Sequence, residues 1–308
     1  MTINETMTMI ALMLAPAFFS LLGMAALGSP VVAVLGEMAA KTKGKVFYDK
    51  YGQQTATMGC VLLILLLVVE CAALGIITVK FPQLIERFVT ADSPLLCSLA
   101  ALGLFVILGL PYFLTWKKMR NYKGIHMALG IGASIAALAM VATAVPAKLV
   151  VGLSQQTTQA QAAIEVQPMA LPMAIMYTIL IIAAAAGLSC AYLVLRRNKD
   201  DFGRDYYNFS LKLAARWATI PMIGFIGCQA WLFVVLPDNF KTMVMETPLG
   251  LVWGAGTGLA LICTILWLLI ARSQTPLQMK GMTFLAATCM WLMHTMNATL
   301  FMNFMSMF

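Results

Sequence analysis

Ionisable side chains inside apolar stretches are the positions where this 308-residue sequence could do chemistry. Glu70 stands in the run LLLVVECAALG, ten residues or about 15 Å of helix before Lys80. A carboxyl group placed in lipid costs roughly 2.5–3.5 kcal/mol, so it usually has a partner or a task. Glu70 is therefore either a neutral acid that donates one hydrogen bond between helices, or a group that passes protons or binds a quinone headgroup.

His294 is the second candidate, because it lies fourteen residues beyond Lys280, or about 21 Å along a helix. This places it at a depth similar to that of Glu70. An acid and an imidazole at one depth can share a proton, which is the chemistry that quinol oxidation needs. We predict Glu70 as proton acceptor and His294 as hydrogen-bond partner of a quinone headgroup. Met290 shares a helix face with His294, but we expect packing there and no metal site.

His126, the other histidine, follows Arg120 and Lys123 at the start of an apolar stretch. We expect it to be hydrated at the membrane interface. It differs in depth from His294 by nearly 20 Å, so the two imidazoles should not ligate one haem. His126 as the histidine of a His–Met haem b is the alternative, and haem b is less favoured here than quinone.

The composition places these residues in a membrane protein. Hydrophobic residues make up 61% of the chain, charged residues 10%, and mean hydropathy is +0.88, whereas soluble domains carry about 25% charged residues. Soluble, disordered, secreted and nucleic-acid-binding classes are therefore excluded. The seven cysteines form no CxxC pair, so nothing indicates a zinc, iron–sulfur or c-type haem site.

The apolar stretches are long enough for eight transmembrane helices, since a span needs about 20 residues. We predict an all-α integral membrane protein of two four-helix bundles, residues 1–150 and 151–308, with a polar outer loop around 151–167. Prolines within the spans should kink helices rather than break them. The predicted spans are 7–36, 56–79, 94–116, 126–150, 168–195, 214–237, 248–271 and 281–304.

Basic residues cluster in alternate connections, which carry 16 of the 20 lysines and arginines. The positive-inside rule puts those connections in the cytoplasm and both termini outside. We therefore predict a multi-pass protein of the bacterial inner membrane, without a cleaved signal peptide. In the basic connection 196–213, Tyr206 and Tyr207 are expected at the level of the lipid headgroups.

Two segments resemble subunit I of cytochrome bd oxidase. They are GEMAAKTKGKVFYDKYGQQTATMG (36–59), in which an acidic residue follows a helix end, and YFLTWKKMRNYKGIHMALGIGASIAALAMVATAVPAKL (112–149). The sequence lacks the histidine that this family carries in its first helix, and its fifth span offers Met169, Met173 and Met176 where another is expected. The family's long outer loop and its ninth helix are missing too.

The resemblance implies a divergent relative that kept the scaffold and lost the haem ligands. We predict a membrane subunit of a respiratory electron-transfer complex, which interacts with quinone or anchors partner chains and contacts lipid. Cytochrome c or iron–sulfur subunits on the outer face are the expected partners, and nucleic acid is not. The alternatives are a small-substrate transporter, a purely structural scaffold and a subunit that carries haem b.

Overall fold

The computed structural model describes residues 2–80, 82, 93–153, 159–200 and 202–306, and all the regular secondary structure within them is helical. Within these residues there are nine α-helices, and short 3-10 turns at Arg120–Tyr122 and Pro276–Met279 precede two of them. The helices are α1 Ile3–Lys43, α2 Val46–Lys80, α3 Leu95–Leu114, α4 Lys123–Leu153, α5 Gln159–Asp200, α6 Arg204–Val235, α7 Asp238–Glu246, α8 Leu249–Arg272 and α9 Lys280–Ser306.

Seven of these helices, α1–α6 and α8, are long and apolar enough to cross a membrane. The chain is thus a multi-pass membrane protein. The eighth expected span is a continuous 27-residue helix, α9. It carries the polar residues His294, Asn297 and Asn303 and is not among the seven candidate spans, so its crossing of the membrane stays a prediction. The predicted loop 151–167 is largely helical where it is described, because α5 already begins at Gln159.

The helices pair as neighbouring hairpins, α1 with α2, α3 with α4, α5 with α6, and α8 with α9. The first four helices also pack on the later ones, chiefly through α1 and α4 against α5 and α1 against α9. One hydrophobic cluster accordingly runs from Leu21 in α1 to Phe304 in α9. Prolines within the spans do not interrupt the helices: Pro16, Pro111, Pro172 and Pro221 all lie inside continuous segments.

The basic connections meet at one end of the bundle, which we call the basic end. The Lys123 ammonium, at the start of α4, lies 2.6 Å from the Asp49 carboxylate near the start of α2. At the same end, the backbone N–H of Leu277 donates to Asn208 near the start of α6. The connections that are rich in basic residues in the sequence therefore also lie close together in the structure. That this end faces the cytoplasm stays a prediction.

Candidate functional site

The structure does not bring Glu70 and His294 together. Glu70 is exposed on α2, and within the described ranges no hydrogen bond or ion pair reaches it. His294 is 3% exposed, and its Nε2 lies 3.1 Å from the Ser20 hydroxyl of α1. Its Nδ1 is buried without a hydrogen-bond partner. Glu70 and His294 therefore do not form one site. The proton role of Glu70 and the quinone role of His294 stay predictions for two different places in the structure.

His126 is buried rather than hydrated, so that expectation was wrong. Its side chain is 2% exposed, as is that of Glu37. The physical reason is that α4 begins at Lys123, and its first turn directs the imidazole inward, against α1 and α3. There the His126 Nδ1 lies 2.9 and 3.1 Å from the two carboxylate oxygens of Glu37. Glu37 and His126, which the sequence analysis placed near the ends of predicted spans, thus form a buried acid–imidazole pair.

The end of α3 completes this site. The carbonyls in the last turn of a helix have no partner within the helix, and the Tyr112 carbonyl is one of these. It lies 3.0 Å from His126 Nε2, while the Tyr112 hydroxyl donates to Glu37 Oε2 at 3.2 Å. Tyr112 therefore holds both members of the pair, one through its backbone and one through its side chain.

Aromatic rings close the site to water. The Tyr112 ring lies 4.6 Å from the imidazole centroid, and the Trp116 indole meets it edge-on at 4.8 Å. Gly130 lets α4 approach, because a Cβ there would lie 2.4 Å from Val34 and 2.6 Å from the Tyr112 ring. In such a low-dielectric enclosure, hydrogen bonds to charged groups are strong and unpaired polar groups are costly.

The hydrogen bonds determine where the protons are. A carbonyl oxygen only accepts, so His126 Nε2 must carry a hydrogen. One further proton then lies between His126 Nδ1 and the Glu37 carboxylate. The pair can be a neutral acid facing a neutral imidazole, or a carboxylate facing an imidazolium, and moving one proton over less than 3 Å converts one form into the other without changing the net charge. The pair can therefore hold one shared proton and move it between the imidazole and the carboxylate.

The sequence carried a signal for this site. Glu37 lies in one of the two segments that resemble bd oxidase, and Tyr112, Trp116 and His126 all lie in the other. Glu37 is the acidic residue that the sequence places just after the first predicted span, although α1 continues beyond it to Lys43. The positions of Glu37 and His126 along the predicted helices, however, placed both residues near the ends of spans and outside the apolar core. Those positions also gave no information on which face of α4 carries His126.

A second polar network joins α2 to α5 and α6 at the basic end. The Gln54 amide donates to Asp200 Oδ2 at 2.9 Å and accepts from the Tyr206 hydroxyl at 2.6 Å. Asp200 in turn accepts from Arg196 at 2.8 Å. Tyr206 and Tyr207 are fully buried, so the expectation of headgroup contact was wrong. The physical reason is that α6 already begins at Arg204. Both tyrosines therefore lie in its first turn, and their rings point into the bundle.

Replacing Gln54 with leucine should destabilise the chain by about 2–3 kcal/mol. The change leaves the buried Tyr206 hydroxyl without its acceptor, which costs roughly 1–3 kcal/mol. It also removes one of the donors to Asp200, which keeps its hydrogen bonds from Arg196, and a lost hydrogen bond of this kind costs about 0.5–1.5 kcal/mol. The melting temperature of the purified protein in detergent measures the effect. Gln53→Leu, one position away and without a side-chain hydrogen bond among the described residues, is the matched control. Equal melting temperatures for the two variants would contradict the role of this network.

The methionine-lined cavity in the second half of the sequence is too small for a haem. Met173 and Met176, which stand where the bd oxidase resemblance expects a histidine, line a cavity of about 20 Å³ together with Gln229 and Asn297. That volume holds about one water molecule. Gln229 donates to Asn297 at 3.2 Å inside it. His126 has both ring nitrogens engaged by protein oxygens, so it offers no free ligand atom either.

Comparisons with known proteins identify the fold. No family model matches the sequence, and no curated protein matches it. Among solved structures, a chain described as the bd oxidase from Geobacillus thermodenitrificans superimposes with a TM-score of 0.72 at 11% sequence identity. The match covers 98% of this chain and 88% of that chain. The chain therefore has a bd-oxidase-like fold, which confirms at the level of architecture the resemblance carried by residues 36–59 and 112–149.

Proposed function

We propose that the chain is an integral membrane subunit of a respiratory electron-transfer complex, located in a bacterial inner membrane. The observation that supports this most strongly is the likeness in fold to a bd oxidase chain along nearly the whole length. The membrane-spanning composition and the concentration of basic residues at one end agree with it.

In this proposal the redox cofactors belong to partner chains. Neither the His126 ring nor the small cavity around Met173 suits haem iron. Cytochrome c or iron–sulfur subunits on the outer face are the proposed carriers, and quinone is the proposed electron donor or acceptor. This chain would anchor those subunits and supply protonatable groups.

The Glu37–His126 pair is the proposed protonatable group. Quinol oxidation releases protons and quinone reduction takes them up, so a membrane subunit that serves either reaction needs a group that can exchange a proton. The Tyr112 carbonyl keeps a hydrogen on His126 Nε2. The proton exchanged is then the one shared by Nδ1 and Glu37. The surrounding aromatic rings keep bulk water away from it.

Purification of the tagged chain from its native membranes in a mild detergent tests the proposal. We expect redox-active visible absorbance to accompany the chain, and to leave with the partner chains when the complex is dissociated. Deletion of the gene should lower quinol-dependent electron transfer in those membranes, and reintroduction should restore it. A chain that purifies without redox partners, from membranes whose quinol oxidation does not change on deletion, would contradict the proposal.

A further inference from the structure

A buried side-chain amide in the second half of the sequence has no acceptor for its hydrogens. Asn297, on α9, is 6% exposed, and its Nδ2 makes no hydrogen bond to any residue that the structure describes. Its Oδ1, by contrast, accepts from Gln229 Nε2 of α6 at 3.2 Å. Because a buried donor without a partner is costly, such a group normally bonds to an ordered water molecule when no protein group serves it.

A neighbouring thioether fixes the orientation of both amides. Gln229 Nε2 also donates to Met176 Sδ of α5 at 3.3 Å, and a thioether sulfur can only accept. Reversing the Gln229 amide, alone or together with that of Asn297, would place its carbonyl oxygen against this sulfur, and neither atom carries a hydrogen. Asn297 therefore keeps its oxygen toward Gln229, and its NH2 group has to find an acceptor elsewhere.

The space available to that acceptor is a small cavity between α5, α6, α8 and α9. Asn297 lines this cavity of about 20 Å³ together with Gln229 and Tyr177. The volume exceeds the roughly 10–15 Å³ that one water molecule needs. A buried water makes about two to four hydrogen bonds, and the side chains of these three lining residues all carry polar groups. The cavity is therefore large enough and polar enough for one water molecule.

The chemistry of the cavity wall selects among possible ligands. The unpartnered group presents hydrogens, so it disfavours a metal ion and requires an acceptor. None of the described residues that line the cavity is charged, so an anion would be buried without a countercharge, which is unfavourable. A neutral acceptor that fits this volume is water.

We propose that the cavity binds one ordered water molecule, which accepts from Asn297 Nδ2 and completes a polar network between α5, α6 and α9. Each helix contributes one side chain to this network, namely Met176, Gln229 and Asn297. The water accepts the hydrogen that none of these side chains can accept. The proposal does not depend on the proposed function, since none of these residues belongs to the Glu37–His126 site.

Water-edited solid-state NMR of the full chain in lipid bilayers, with 15N-labelled asparagine, tests the proposal. It measures how fast magnetisation passes from water protons to each side-chain amide, and Asn297→Leu identifies the Asn297 signal by removing it. Asn303 is the matched control, because it lies on the same helix, is also 6% exposed, and donates to the Thr299 carbonyl at 2.8 Å. We expect transfer to Asn297 to be at least fivefold faster than transfer to Asn303. Transfer to Asn297 that is no faster than to Asn303 would overturn the proposal.

Filling the cavity tests where the water is bound. Leu232 lines the cavity from α6 and is 3% exposed, so Leu232→Phe should occupy the space and reduce transfer to Asn297 to the level of Asn303. Leu251→Phe, the same exchange at a position of α8 that is 76% exposed, should leave the transfer unchanged. Undiminished transfer in a folded Leu232→Phe variant would overturn the proposal. The comparison of Asn297 with Asn303 in the natural chain needs no folded variant of Leu232 and decides the question by itself.

Discussion

Replacing Glu37 with glutamine should leave the fold intact and slow quinol-linked electron transfer by the complex at least tenfold. The glutamine amide can donate to His126 Nδ1, and its oxygen can accept from the Tyr112 hydroxyl, so both groups keep a partner and only the longer 3.1 Å contact of Nδ1 is lost. What disappears is the proton that Glu37 and His126 share. Stopped-flow turnover of the purified complex measures the rate, and its thermal unfolding measures the stability.

Replacing Glu37 with alanine separates the structural role from the chemical one. It leaves a buried imidazole and a buried tyrosine hydroxyl without their partner, and breaking a buried pair in this way costs roughly 3–5 kcal/mol. We therefore expect Glu37→Ala to lower stability sharply, whereas Glu37→Gln does not. Glu246→Gln, the same exchange at an exposed carboxylate on α7, should change neither property. Full turnover in Glu37→Gln would remove the pair from the mechanism.

Gly28→Ala should destabilise the protein by about 3 kcal/mol or more. A Cβ at this position would lie 2.0 Å from the carbonyl oxygen of Ile181 and 3.1 Å from Ala185, so the obstacle is the backbone of α5, which cannot turn aside. Overpacking of a core typically costs 1–3 kcal/mol, and rigid obstacles fall at the upper end. Because α1 and α5 belong to different halves, the change should also weaken the contact between them.

Gly75→Ala is the control for Gly28→Ala. No atom lies within 4 Å of a Cβ at Gly75, and alanine in a helix interior is favoured over glycine by roughly 0.5–1 kcal/mol. We expect this variant to be as stable as the natural chain or slightly more so, as judged by melting temperature in the same detergent. Equal losses in both variants would show that the α1–α5 approach is not tight.

Composition and hydropathy were sufficient to predict the membrane class and most of the helices, because long apolar runs leave few alternatives in lipid. Depth along each helix could also be estimated from the sequence. The rotational setting of a helix could not, since it depends on packing between distant segments. Glu37 and His126 are 89 positions apart, and only the approach of α4 to α1 brings them into contact.

The same limit explains the other differences from expectation. Glu70 was singled out because it is a carboxylate in an apolar run, but the sequence does not show that its face of α2 is uncovered. Tyr206 follows a charged segment and resembles an interfacial residue by composition. Its burial depends on Gln54, which lies 152 positions earlier and provides its hydrogen-bond acceptor.

Redox-induced infrared difference spectroscopy of the intact complex tests most directly whether the Glu37–His126 pair exchanges a proton during electron transfer. If the pair exchanges a proton, the natural complex should show a carboxyl signal that shifts in heavy water and is absent from the Glu37→Gln complex. The Glu246→Gln complex should keep it. Superimposable spectra from the natural and Glu37→Gln complexes would show that the Glu37–His126 pair exchanges no proton during electron transfer.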